Sequence, residues 1–209
     1  MEDKSLKSKT YENFHKVLGG VVRVLFRIHA HGIENEPKDK PYLLVSNHVS
    51  NADPVFICAS IKNQQPHYMA KKELFKIPLL RGLIGALGAF PVDRKGNDVA
   101  TIKKCIQMLK DGKCIGIFPQ GHRRKKVNPR DTEVKNGAAM LAVRAEAQVL
   151  PCYVKMKNNK WAPFRRVDIY VGEPISFEEL AYDPEAKGEY SRISAYIFDK
   201  VCSIGEANE

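Results

Sequence analysis

The sequence predicts an α/β protein: a mixed, mainly parallel β-sheet flanked by helices, with an amphipathic helix at its N-terminus. Three observations predict it. Short continuous apolar runs recur along the chain and read as buried strands. Segments with helical spacing alternate with them, which favours parallel strands joined by helical crossovers. Pro, Asn and Gly punctuate the junctions where helices start and stop.

The elements follow in order. Residues 11–29 form the first periodic segment. Lys16, Gly20, Arg23 and Arg27 make one basic stripe, and Phe14, Val17, Leu18, Val21, Val22, Leu25 and Ile28 fill a wide opposite arc. Such a helix lies in a bilayer interface or docks on the core with its arginines in water. "YLLVS" (42–46) is a buried strand. Asp53-Pro54 reads as an N-cap with Pro at the first helical position, opening a helix through Lys62. "HYMAK" (67–71) is a strand, and "IPLLRGLIGALG" (77–88) a helix with Pro78 near its start. Gly82, Gly85 and Gly88 give that helix a bare face, suited to close backbone packing or to a chain-like ligand. "AFPVDR" (89–94) is a strand. Asn97 caps a helix through Leu109, closed by Gly112. "KCIGIFP" (113–119) is a strand, followed by the basic loop "QGHRRKKVNPRDTEV". Residues 136–147 are helical, "VLPCYV" (149–154) and "RVDIYVG" (166–172) are strands, and residues 191–204 form the last helix.

Composition narrows the function classes. The 209 residues suffice for one full core, and a net charge of +10 calls for an anionic partner: nucleic acid, a membrane surface or a phosphorylated substrate. Nucleic acid is disfavoured, because the aromatics are not interleaved with the basic residues and no RNP or zinc-finger pattern occurs. The five cysteines are scattered, odd in number and without a CxxC, so they read as reduced core thiols rather than disulfides or a metal site. No metal ligand set is expected. The polar start "MEDKSLKSKTYENFHK" carries no secretory signal, and no window reaches the roughly 18 uncharged apolar residues of a spanning helix.

Chemistry-bearing residues gather at strand ends, where open α/β sheets bind ligands. Asn47 and His48 follow the first core strand, and Asp53 lies five residues beyond His48. A carboxylate on one imidazole nitrogen fixes the tautomer and leaves the other nitrogen as a base. The spacing alone also fits a plain Asp-Pro helix start beside a structural histidine. No G-x-S-x-G elbow is present, so a base here acts on a substrate hydroxyl rather than a protein nucleophile. In "IFPQGHRR" (117–124), Pro119 and Gly121 shape a tight turn whose amides face an anion, and Arg123 and Arg124 offer donors for phosphate. Lys125 and Lys126 read as solvated. Lys71 follows one strand and Arg94 ends another, so both reach the same edge.

Together these blocks resemble the lysophospholipid acyltransferase family, in particular its bacterial 1-acyl-sn-glycerol-3-phosphate acyltransferases. The family's N-H-x-x-x-x-D block is matched by Asn47, His48 and Asp53, and its second block by "GAFPVDR" with Arg94. Its third, commonly F-P-E-G-T-R-S, reads "FPQGHRR" here, and its fourth, an apolar strand with a proline, is matched by "VLPCYV" and Pro151. The likeness spans about residues 30–175. Gln120 for Glu, His122 for Thr and Arg124 for Ser depart from it.

The resemblance implies a glycerol-3-phosphate acyltransferase-like fold in residues 31–209, preceded by a membrane-associating segment in residues 1–30. It implies His48 as general base and Asp53 as its orienting partner. Asn47, Lys71, Arg94, Gln120, Gly121 and Arg123 are then substrate-binding. The implied reaction moves an acyl group from acyl-CoA or acyl carrier protein to lysophosphatidic acid, without a cofactor. Another lysophospholipid acceptor is the alternative within the family. Anionic membrane lipid is an implied partner, and the implied location is peripheral or monotopic on the cytoplasmic face of a membrane.

Overall fold

The computed structural model describes residues 8–93, 98–124 and 127–208. Arg94, Asn97, Lys125 and Lys126 lie outside the described residues, so what was expected of them stays with the sequence. The chain opens on α1 (Lys9–Asn13), which runs through a π-helical stretch (Phe14–Gly19) into α2 (Gly20–Leu25). There follow β1 (Ile28–His31), β2 (Tyr42–Ser46), α3 (Asp53–Ser60), β3 (Pro66–Lys71), α4 (Pro78–Ala86) and β4 (Phe90–Val92). The remainder is α5 (Asp98–Lys110), β5 (Cys114–Ile117), α6 (Gly137–Ala145), β6 (Gln148–Met156), β7 (Val167–Val171) and α7 (Glu189–Glu206).

The strands form one sheet in the order β1-β7-β6-β2-β5-β3-β4. Five neighbours, β4, β3, β5, β2 and β6, run parallel; β7 is antiparallel to β6, and β1 is parallel to β7. The predicted mixed, mainly parallel sheet is therefore present. β2 is buried at every position. Its alternate side chains serve two layers. Leu43 and Val45 enter the core shared with α5, α6 and α7, while Tyr42 and Leu44 face Phe56 and Ile57 of α3.

The N-terminal segment departs from expectation. The helix stops at Leu25; Arg27 turns the backbone with φ 41°, and Ile28–His31 becomes an edge strand on β7. A segment boundary at residue 30 thus cuts a strand of the sheet. Nor does the helix divide into a basic stripe and an apolar arc. Tyr11 and Phe14 are buried against the fold, and the Arg23 guanidinium, on an otherwise exposed residue, donates to the Ala59 carbonyl at 2.7 Å. The Tyr11 hydroxyl lies 3.2 Å from the carbonyls of Cys58 and Ile61. The N-terminal helix therefore satisfies carbonyls that the end of α3 leaves open. Its outer face exposes Val17, Leu18, Val21 and Val24.

Smaller differences have local causes. Strand β4 has three residues rather than six. On α4, Gly82 and Gly85 face open space rather than a packed backbone, while Gly88 takes φ 81° just past the helix. Gly112 closes α5 as predicted, with φ 83°.

Candidate active site

The site begins where β2 leaves the sheet. Ser46 pairs with Cys152, but β6 runs on to Met156. Asn47 makes the separation possible. Its side-chain amide donates to the Val154 carbonyl at 3.0 Å, and its oxygen accepts from the Val154 N–H at 2.8 Å. One side chain thus replaces a rung of the backbone ladder and satisfies both groups of a buried residue. Asn47 is itself buried. The structure places it as a clamp on β6, not as the substrate contact expected of it.

Freed from the sheet, the chain turns through His48–Ala52 into α3. Asp53, expected as the cap, is instead the first residue of that helix, which starts one position earlier with Ala52 as its cap, and Pro54 follows. Its carboxylate points back into the turn. Oδ2 accepts from the backbone amides of Val49 and Ser50 and from the imidazole Nδ1 of His48, each at 2.8 Å. The five-residue spacing therefore does fold the carboxylate onto the ring. Asp53 is completely buried, and that burial lifts its carboxyl above the usual carboxylate range, against the lowering pull of His48 and the two amides. With the carboxylate as acceptor, Nδ1 carries the proton and Nε2 presents a lone pair. Among the described residues, none bonds to Nε2.

Three further contacts hold His48, all from the loop after β5. Its N–H donates to Oε1 of Gln120 at 2.8 Å, and its carbonyl accepts from the Arg124 N–H at 2.8 Å. Its ring stacks on Phe118, with centroids 4.1 Å apart and planes at 16°. Phe118 in turn stacks on Tyr68, whose ring lies across Gly116; a Cβ there would come within 2.2 Å of the tyrosine ring. Gly116 is what lets this aromatic column reach the histidine. Phe118 and Tyr68 were not singled out in the sequence, because an aromatic beside a core strand reads as ordinary packing.

Gln120 sits deeper than a substrate contact would. It is 2% exposed, and its Nε2 donates to Oγ1 of Thr132 at 2.8 Å. It ties the His48 backbone to the far side of the same loop. Gly121 takes φ 72°, and its N–H closes a turn on the Phe118 carbonyl, so that amide is spent within the loop. Arg123 is exposed. Lys71, the last residue of β3, is exposed with Glu73 at 3.7 Å. Topology brings these groups to one edge: β2, β5, β3 and β4 are adjacent and parallel, so His48, the 118–124 loop, Lys71 and the end of β4 all follow carboxyl ends on the same side.

Protein nucleophiles are not available here. Ser46 is fully buried, its hydroxyl bonded to the Asn47 carbonyl, and Ser50 is 5% exposed with its oxygen accepting from the Ala52 N–H. All five cysteines are buried and free. Burial pushes the thiols of Cys58, Cys114 and Cys152 up to about 12 and those of Cys105 and Cys202 up to about 11, far from the thiolate form. No cluster of metal-ligating side chains occurs among the described residues.

Known proteins share this arrangement of chain. A protein of Bacillus subtilis named 1-acyl-sn-glycerol-3-phosphate acyltransferase is 31% identical over 153 residues, covering 72% of this chain and 75% of its own. One of the same name from Streptococcus pneumoniae is 33% identical over 176 residues, covering 80% of this chain and 64% of its own. The crystal structure of the 1-acyl-sn-glycerophosphate acyltransferase PlsC from Thermotoga maritima superposes with a TM-score of 0.66 at 23% identity, over 95% of this chain and 78% of that one, and shares the fold. Residues 27–155, which carry the His48–Asp53 pair and the loop that holds it, match the Acyltransferase family, and to that family this chain belongs.

Proposed function

We propose that this acyltransferase moves a fatty acyl group from a thioester donor, acyl-CoA or acyl carrier protein, to the free hydroxyl of lysophosphatidic acid, giving phosphatidic acid for phospholipid synthesis. The names of its relatives point to this acceptor. The observation that carries the chemistry is the His48 imidazole, bonded to buried Asp53 through Nδ1, with Nε2 unbonded among the described residues.

In this reading Nε2 takes the proton of the acceptor hydroxyl as its oxygen attacks the thioester carbon. The C–O bond forms and the carbonyl electrons move onto oxygen. Collapse of the tetrahedral species breaks the C–S bond, and the leaving thiolate recovers the proton from the imidazolium. Asp53 stabilises that cation and fixes the ring. No acyl-enzyme is needed, in keeping with the inert cysteines and serines around the pair. The thioester supplies the activation, so no metal or cofactor is called for. Lys71, Arg94 and Arg123 hold the acceptor phosphate, while Asn47, Gln120 and Gly121 shape the walls that position the base.

Acceptor and product both reside in a bilayer. The enzyme then works as a peripheral or monotopic protein on the cytoplasmic face, with the exposed Val17, Leu18, Val21 and Val24 of the N-terminal helix against the lipid. Among the described residues, no helix is long and apolar enough to cross a membrane. The test is transfer of a labelled acyl group to lysophosphatidic acid, scored as phosphatidic acid, with His48→Ala as control. We expect product from the wild type and a loss of roughly 10²–10⁴-fold in the variant. Equal rates would remove His48 from the mechanism, and a folded wild type that ignored lysophosphatidic acid would send the search to other lysophospholipids.

A further inference from the structure

We propose that the turn joining β6 to β7, residues 157–166, is a second membrane-contact element that seats Trp161 and Phe164 in the interface of an anionic bilayer. This rests on the reading that the enzyme works on bilayer-borne substrate, and adds to it a surface outside the N-terminal helix.

The turn, "KNNKWAPFRR", holds four basic residues and no acidic one. Its two aromatics stay in the open: Trp161 is 47% exposed and Phe164 is 70% exposed. The backbone makes that exposure harder to attribute to folding alone. Asn158, Asn159 and Phe164 all have positive φ, 57°, 51° and 63°. Asparagine suits that conformation, and a bulky residue there is an outlier. A turn that met only water would gain by carrying Asn or Gly at position 164 too. Phe164 is held in a disfavoured backbone with its ring in solvent.

The turn also continues the apolar face already assigned to lipid. The Phe164 N–H donates to the Leu25 carbonyl at 2.6 Å, so Phe164 sits at the end of α2, directly beyond exposed Val24. Trp161 packs edge-on against Phe26, with centroids 5.5 Å apart, and near Phe56 at 6.4 Å, which fixes one edge of the indole and leaves the rest outside. Val17, Val21 and Val24 are exposed on the helix whose end Phe164 adjoins. Lys16, Arg27, Lys160 and Arg165 are exposed on the same two segments of chain. A Trp at a polar boundary, an apolar ring beyond it and cations alongside suit the headgroup region of anionic lipid.

Trp161 is the only tryptophan in the chain, so its fluorescence reports on this turn directly. The full chain is mixed with vesicles of phosphatidylglycerol and phosphatidylcholine, with and without brominated acyl chains, and binding is followed in parallel by sedimentation. We expect a blue shift on binding and quenching by the brominated lipid. Phe164→Asn should raise thermal stability, since Asn fits the φ, while weakening vesicle partition roughly tenfold through loss of a buried aromatic. Opposite signs for stability and binding distinguish lipid contact from a structural role. If vesicles bind but the indole is neither shifted nor quenched, or Phe164→Asn partitions as the wild type does, the turn is not in the interface, and the helix reading stands without it. If the wild type binds no vesicles, this proposal and the membrane reading both fall, while the acyl-transfer assay on a soluble acceptor still judges the chemistry.

Discussion

Gln120→Glu restores the residue usual in the family's third block and is the most discriminating perturbation of this site. The structure gives it a definite meaning. The amide oxygen of Gln120 accepts from His48 N–H, and its nitrogen donates to Thr132 Oγ1, whose hydroxyl lies 2.5 Å from the Pro129 carbonyl. A glutamate keeps the first bond and strengthens it with its charge. At the second position two acceptors would meet, so the Thr132 hydroxyl must rotate from Pro129 to the carboxylate. Pro129 is not orphaned by this, because its carbonyl still accepts from the Thr132 N–H at 3.0 Å. Burying the carboxylate costs several kcal/mol, and two hydrogen bonds to a charged group return about 1.5–3 kcal/mol each. The net change is within about 1.4 kcal/mol, and His48 keeps its place. Turnover should therefore change by no more than about tenfold, with acceptor KM nearly constant, because Gln120 is too deep to touch substrate.

Thr132→Val tests whether this account is right. In the wild type it leaves a neutral amide N–H unpaired, at about 1–3 kcal/mol; combined with Gln120→Glu it leaves a buried anionic oxygen unpaired, which is roughly twice as costly. Urea unfolding of the wild type, both single variants and the double variant should give a coupling of about 1 kcal/mol or more, above the ~0.3–0.5 kcal/mol scatter of independent sites. Additive effects would mean that Thr132 does not carry the charge and that the loop relaxes some other way.

Two other outcomes follow from the geometry. In Asp53→Asn the amide oxygen can still accept the three bonds now made to Oδ2, so the loss falls on stabilisation of the imidazolium: kcat should drop about 10²-fold or more with the fold intact. Burial raises the Asp53 carboxyl above its unfolded value near 3.9, so wild-type stability relative to Asp53→Asn should be greatest at and below about pH 4 and should decline as pH rises through the folded value; a difference that grew with pH, measured by urea unfolding at several pH values, would show the amides outweighing burial. Arg123→Ala should raise acceptor KM tenfold or more, the equivalent of about 1.5–3 kcal/mol for a charge-assisted phosphate contact, and leave donor KM unchanged; equal changes in both constants, in steady-state kinetics, would remove it from the acceptor site.

What the sequence disclosed and what it hid divide along one physical line. Elements whose apolar pattern is local were legible: "YLLVS" and "CIGI" are uninterrupted buried runs, and both are central strands of the parallel sheet. Strand β1 was not, because "IHAH" at a sheet edge turns only Ile28 toward the core and exposes its histidines. The His48–Asp53 contact could be foreseen because it spans five residues and one turn. The other restraints on His48 come from Phe118, Gln120 and Arg124, at least 70 positions away, and exist only because β2 and β5 are neighbours. That adjacency is a property of strand order, which no local pattern encodes. Asn47 was misread for a related reason. A polar residue just past a strand looks like a ligand contact, and its use as a false rung depends on β6 outrunning β2.

The same long-range dependence says what the site is built to do. A base must be placed to within a fraction of an ångström, and loops at strand ends are mobile by default. Here the loop after β5 grips the loop after β2 at three points: an amide on the His48 N–H, a backbone N–H on its carbonyl and a ring against its face. The grip works through backbone and stacking rather than through the ring nitrogens of the histidine, so Nδ1 remains for Asp53 and Nε2 is left for the role proposed for it. Substitution at position 122 or 124 leaves the backbone donor at 124 in place, short of a proline. Departures from the family's third block at these positions therefore change the loop's charge while the His48 backbone stays fixed.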